Sequence, residues 1–271
     1  MKIYLMTDIE GVAGVMNSTE WIYPHSRYYE KGKELLTMEV NAAIDGFFAA
    51  GADEIIVHDG HGEGAIDIML LDPRVKLQRG SRGIHPRTPY PRHLDENYDV
   101  MAWVGQHPKS GTEYGHLTHT GSFQALDKIL NGISVGEFGA AMFCGQVYGV
   151  MPIFASGCLA FTKEAEYFVP GIETVAVKEG IMNGTGNECT AEQYEKRNWG
   201  AIHLHPVKAR ELIRAGAERA LRRFMEDPDS FKPMKISPPY TYRVFFRPDK
   251  DHPEPWEVYS ASSDCLPEIL R

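Results

Sequence analysis

Apolar residues follow two rhythms along this chain. Short apolar runs at 3–6, 53–58, 99–105, 151–156 and 173–177, the first free of any turn residue, read as buried strands. Between them the spacing turns helical. Leu35, Leu36, Met38, Val40, Ala43, Ile44, Phe47 and Phe48 make one stripe over residues 30–50, and Gly51 stands ready as a C-cap. Strand, helix, strand at this spacing predicts a βαβ unit with its first two strands parallel. Gly136 and Glu137 open a helix of small residues to about Tyr148, Thr162 is placed to cap the next helix, and residues 206–225 form an amphipathic helix with Pro206 in its first turn.

The connections are read the same way. Residues 21–29 are aromatic and turn-rich, as expected of a loop over a site, and residues 72–97, full of Pro, Arg, His and Gly, are expected to wrap the surface. Asn131-Gly132 sits between apolar arms over 129–135 and predicts a tight hairpin turn. Residues 180–200 are polar and rich in Gly and Asn, the pattern of an insertion or lid. After Lys232, the alternation of Tyr240, Tyr242, Val244 and Phe246 predicts a strand ahead of a Pro-rich end.

Composition narrows the class more than the fold. At 271 residues, with 43% hydrophobic and 24% charged positions, the chain can bury a large core as one big domain or two modest ones. A net charge of −9 disfavours nucleic acid and anionic membrane as partners, since both demand clustered Lys and Arg. No apolar stretch reaches the length of a membrane span, and Asp8 interrupts the N-terminal run too early for a signal peptide. Cys144, Cys158, Cys189 and Cys265 are widely spaced, as suits free thiols. The expectation is a soluble cytoplasmic protein.

Candidate chemistry lies where apolar runs stop. Asp8 and Glu10, two apart, project to one side from the end of the first strand, which is where open α/β sheets place ligands. Asp59 and His61 follow the second strand, His107 the third, and Glu137 opens a helix. Each alone has a plainer explanation: a single histidine after a strand is more often structural, Glu137 suits a helix dipole, and His58 belongs to strand packing. Together these segments offer two imidazoles and three carboxylates expected to converge at one sheet edge. That exceeds what one tetrahedral zinc uses and suits two ions sharing a bridging carboxylate and water, with zinc favoured and manganese or cobalt as substitutes. His116 and His119 lie in a polar loop, where one can serve as proton donor or oxyanion partner; His119 is the favoured of the two.

The run Asp8-Ile9-Glu10-Gly11, with Asp59-Gly60-His61, Val104-Gly105-Gln106-His107, Leu117-Thr118-His119-Thr120 and Gly136-Glu137-Phe138-Gly139, resembles the M55 family of metallopeptidases, the D-aminopeptidase or "dipeptide transport protein" family. The similarity covers roughly residues 1–180 in order. It implies that Asp8 bridges two zinc ions, that Glu10, His61, His107 and Glu137 complete the ligand set, and that His119 is the catalytic histidine. It further implies a layered α/β/α fold around a mixed, largely parallel sheet, and a ring-like homo-oligomer with sites facing an internal channel. On this reading residues 1–180 form the metal-binding catalytic core, and 181–271 add an insertion, the amphipathic helix and a small C-terminal extension. The chain departs from the family pattern in two places: residues 183–200 read as extra sequence, and the end after Trp256 as short of a final strand and helix.

The expected function is that of a zinc-dependent aminopeptidase cleaving short peptides from the amino terminus, with D-amino acids or glycine there, by a bridging hydroxide on a dinuclear site. Two rivals stand beside it. A dimetal phosphoesterase uses similar ligands and would aim a basic residue at phosphate, for which Arg79, Arg82 and Arg87 are candidates by position. A non-catalytic peptide-binding module would need fewer potential ligands than this chain carries.

Overall fold

The opening strand, β1 (Lys2–Thr7), is buried along nearly its whole length in the computed structural model, which describes residues 1–80 and 91–270. Ile3 and Leu5 pack into one core with α2 (Tyr29–Ala49), while Tyr4 and Met6 face a second core on the other side of the sheet. A continuous apolar run is what a strand clad on both faces requires. A single turn of helix, α1 (Ser18–Trp21), precedes α2, and β2 (Glu54–Asp59) follows it. The chain then runs through β3 (Lys76–Gln78), β4 (Val100–Gln106), the hairpin β5 (Ala125–Leu130) and β6 (Ile133–Ser134), α3 (Glu137–Val147), β7 (Met151–Cys158) and α4 (Leu159–Phe168). It finishes with β8 (Glu173–Gly180), α5 (Ala191–Arg197), β9 (Ala201–His203), α6 (Pro206–Glu226), β10 (Tyr240–Phe246), β11 (Trp256–Ser263) and α7 (Leu266–Ile269).

Among the described residues, seven strands form the main sheet in the order β3-β2-β1-β4-β7-β8-β9, all parallel except β9, which runs against β8. The mixed, largely parallel α/β sheet is therefore observed. α2 and α6 pack on each other over one face, and the apolar faces of α3 and α4 fill the core on the other. Four further strands make an antiparallel sheet, β11-β10-β5-β6, and its buried Tyr242 and Val244 join the α3 core. Asn131 (φ 47°) and Gly132 (φ 80°) both adopt left-handed backbone at the β5–β6 turn, as a type I′ hairpin requires. Among the described residues no helix is long and apolar enough to cross a membrane.

Several expectations are corrected. Thr162 does not cap α4: the helix begins at Leu159, and the Thr162 hydroxyl donates back to the Leu159 carbonyl at 2.9 Å. Part of 72–97 is not surface wrapping but the edge strand β3, paired with β2. The end after Trp256 is not short of a strand and helix, for it forms both β11 and α7.

One glycine fixes how the strand ends meet. Gly105 has φ +77°, and a Cβ there would lie 2.1 Å from the Asp8 carbonyl oxygen. The turn after β1 rests on the end of β4 at this point, with Asp8 N donating to Val104 O at 3.0 Å and Gly11 N to Gly105 O at 2.6 Å. Gly105→Ala is expected to destabilise the fold by about 3 kcal/mol, from a clash with backbone plus a left-handed non-glycine residue. Chemical denaturation of the two proteins measures it, and a change below about 1 kcal/mol would mean the turn can move aside.

Candidate metal centre

Three adjacent parallel strands, β2, β1 and β4, deliver their carboxyl ends to one place. Asp8 and Glu10 leave β1 almost fully buried, at 4% and 1% exposure. Asp8 Oδ1 accepts from Ile9 N at 2.9 Å, and Oδ2 accepts from Gln106 Nε2 at 3.0 Å. His61 follows β2, His107 follows β4, and His119 comes from the loop between β4 and β5. Glu137 is the first residue of α3, and its Oε1 accepts from Gly121 N at 2.7 Å.

The protonation pattern of the imidazoles follows from their neighbours, because a carbonyl oxygen only accepts. His61 Nε2 lies 2.8 Å from Ile22 O, so it carries a proton, and Nδ1 is turned toward Asp8 Oδ1 and Glu10 Oε2 at 3.1 Å from each. His107 Nδ1 donates to Pro108 O at 3.0 Å. Its Nε2 is buried, 3.2 Å from Asp8 Oδ2 and 3.6 Å from Glu137 Oε1. His119 Nδ1 donates to Leu117 O at 3.0 Å, turning Nε2 toward Glu137 Oε1 (3.9 Å) and Glu10 Oε1 (4.0 Å), with its ring stacked on that of His107 at 4.0 Å.

Three imidazole nitrogens thus face carboxylate oxygens inside the protein. Such buried contacts hold only with positive charge between the atoms, a proton or a metal ion. The acid–base balance reflects these contacts: against burial, the Glu10 charge holds His61, and the Glu137 charge holds His107, well above the ordinary imidazole range. Burial, and then the charge of Asp8, push the Glu10 carboxyl up to about 7. Burial also opposes ionisation of Asp8, yet hydrogen bonding to His107 and His61 holds it well below the ordinary range. Glu137, against the same burial, is held down to about 2 by His107. His119 is pushed down to about 4 by burial and then by His107, so it is neutral at physiological pH.

The potential ligand atoms fall into two groups, Asp8, Glu10 and His61 on one side and His107, His119 and Glu137 on the other, each with its atoms within 4.8 Å of one another. Asp8 spans them, Oδ1 toward His61 and Oδ2 toward His107. Mixed imidazole and carboxylate donors suit zinc and related divalent ions, and the outer hydrogen bonds from His61 and His107 to carbonyls are those that orient ligating histidines.

All six residues singled out in the sequence therefore meet. Asp59 does not join them: its carboxylate accepts from Ala65 N and Ile66 N and shapes the turn after β2. His58 packs within the sheet, stacked on Tyr4, and His116 hydrogen-bonds through Nε2 to Met16 O and Trp199 O. Arg79 is taken up by the Glu63 and Gly64 carbonyls and by Asp59, while Arg82 and Arg87 lie outside the described residues. Gln106 received no role from sequence, although it donates to Asp8 and, at 3.4 Å, to Glu137 Oε2. Its position directly before His107 at the strand end was the available signal.

Comparison with known proteins places the chain in a family. The curated D-aminopeptidase of Bacillus subtilis (strain 168) is 28% identical over 240 residues, spanning 88% of this chain and 78% of that protein. A solved structure, the Zn-dependent D-aminopeptidase DppA from Bacillus subtilis, described as a self-compartmentalizing protease, superposes with a TM-score of 0.82 at 22% identity. That match covers 99% of this chain and 94% of DppA, and shows a shared fold. A family profile for peptidase M55, D-aminopeptidase, matches residues 1–252. The chain belongs to the M55 peptidase family.

Proposed function

We propose that the protein is a zinc-dependent aminopeptidase that removes D-amino acids or glycine from the amino terminus of short peptides. The observation carrying this reading is the set of buried imidazole nitrogens and carboxylates gathered in two groups, with Asp8 facing both halves of the site. Asp8, Glu10 and His61 would hold one ion, and Asp8, His107 and Glu137 a second, with manganese or cobalt able to substitute. Zinc bound there supplies a Lewis acid for the scissile carbonyl and acidifies a bound water.

The remaining steps belong to side chains. His119, neutral and with Nε2 bare between Glu10 and Glu137, accepts a proton in the site and returns it to the departing amine. When protonated it stabilises developing negative charge on the carbonyl oxygen. Its fixed Nδ1–H···O bond to Leu117 keeps the same nitrogen presented throughout. Gln106 donates to Asp8 Oδ2 and so restrains the carboxylate that faces both halves. The family profile and the similarity to a D-aminopeptidase support the choice of substrate, and the similarity to a self-compartmentalizing protease supports a ring-like homo-oligomer. The exposed run Ile68-Met69-Leu70 offers apolar surface for such contacts.

A panel of D- and L-aminoacyl p-nitroanilides beside p-nitrophenyl phosphate, in zinc-replete buffer, separates the readings. Release of nitroaniline from the D-aminoacyl or glycyl substrates is expected, abolished by a chelator and restored by zinc. Phosphate ester cleavage without amide cleavage would favour the phosphoesterase, and tight peptide binding with no cleavage the binding module.

A further inference from the structure

His119 is carried by a loop that has no strand or helix ladder of its own, and Leu117 within it adopts left-handed backbone at φ 52°. A non-glycine residue rests there only when its surroundings enforce it. The enforcing contacts come from residues far along the chain. Asn198 O accepts from Leu117 N at 3.1 Å, and Asn198 Nδ2 donates to Thr118 Oγ1 at 3.0 Å and to Tyr194 O at 3.3 Å. The Thr118 hydroxyl also bonds the Tyr194 hydroxyl at 2.6 Å, which in turn accepts from Gly111 N at 2.7 Å. Beneath this, the Arg247 guanidinium lies 3.4 Å from the centre of the Tyr194 ring and donates to Gly186 O at 2.6 Å and Ser110 Oγ at 2.8 Å. Thr118, Tyr194 and Arg247 are wholly buried, and Asn198 is 1% exposed.

We infer that Asn198, Thr118 and Tyr194 act together as positioning residues for His119. By holding Leu117 in its left-handed conformation, they aim its carbonyl at His119 Nδ1 and turn the bare Nε2 toward Glu10 and Glu137. The inference rests on the reading of His119 as the residue that moves the proton. It also gives the polar stretch 183–200 a function: its buried residues reach under the loop and fix an imidazole they never touch. A buried hydroxyl accepting from one side chain and bonded to a second leaves Thr118 little freedom to rotate, so the loop is held before substrate arrives.

Thr118→Val keeps shape and volume but removes the hydroxyl at the centre, and Thr118→Ser keeps the hydroxyl. Thr118→Val is expected to lower kcat by about 10- to 100-fold with KM within about twofold and zinc content unchanged, as for loss of an outer hydrogen bond that orients an active group. Thr118→Ser is expected to restore kcat to within about threefold of wild type. Wild-type kcat in Thr118→Val overturns the inference, and so does a loss that serine fails to rescue or that tracks lost zinc. Should Thr118→Val not fold, Tyr194→Phe, which retains the ring over Arg247, is read in its place by the same criteria. If the wild-type protein cleaves no aminoacyl substrate, the proposed function fails, and crystal structures then decide the positioning separately. Loss of the Leu117–His119 bond in the variant supports it, and an unmoved His119 overturns it.

Discussion

Replacing Asp8 with alanine is expected to strip the protein of bound zinc and to reduce turnover by about 10³-fold or more. The expectation follows from where its two oxygens point. Oδ1 faces His61 and Oδ2 faces His107, so no other carboxylate in the site is directed at both histidines. Removing it leaves each half with one carboxylate and one of these imidazoles, too few for a closed site. Elemental analysis of the purified variant measures the effect, with circular dichroism to confirm that it folds. Two retained equivalents of zinc would contradict the bridging role.

His119→Ala is expected to behave differently, keeping both ions while kcat falls by about 10²- to 10⁴-fold, the usual span for a lost general acid–base group. KM should change little, because the imidazole acts on the proton and on charge that develops in the transition state. The competing outcome is specific. His119 Nε2 also lies within reach of the group formed by His107 and Glu137, so loss of one zinc equivalent would make it a ligand instead. Activity and metal content measured on the same sample separate the two roles.

Much of the scaffold was legible because burial on both faces leaves an unbroken apolar run, as in β1 and β4, with a shorter run, Ile55-Ile56-Val57, in β2. Their ends mark themselves by a change to Asp, Glu, His and Gly, so His61 and His107 could be picked out without coordinates. What was not legible depends on partners distant in sequence. The pairing of β5 with β10 joins segments more than a hundred residues apart, and neither strand's pattern names its neighbour. Which nitrogen of each histidine faces the site depends on the Ile22, Pro108 and Leu117 carbonyls, whose positions no local pattern encodes. Thr162 misled because a threonine before a helix and one inside its first turn look alike in sequence, and only the direction of its hydroxyl bond tells them apart. Asn198 and Tyr194 were hidden for a related reason. Polar residues among glycines read as solvated loop until the buried hydroxyl they serve comes into view.

The central claim is that a pair of cations sits at the rim of the parallel sheet. Diffraction from zinc-loaded crystals on either side of the zinc absorption edge tests it most directly. The expected result is two anomalous peaks, one against Glu10 and His61 and one against His107 and Glu137, with the Asp8 carboxylate touching both. No peak among these residues, or a single peak that Asp8 does not touch, would contradict it.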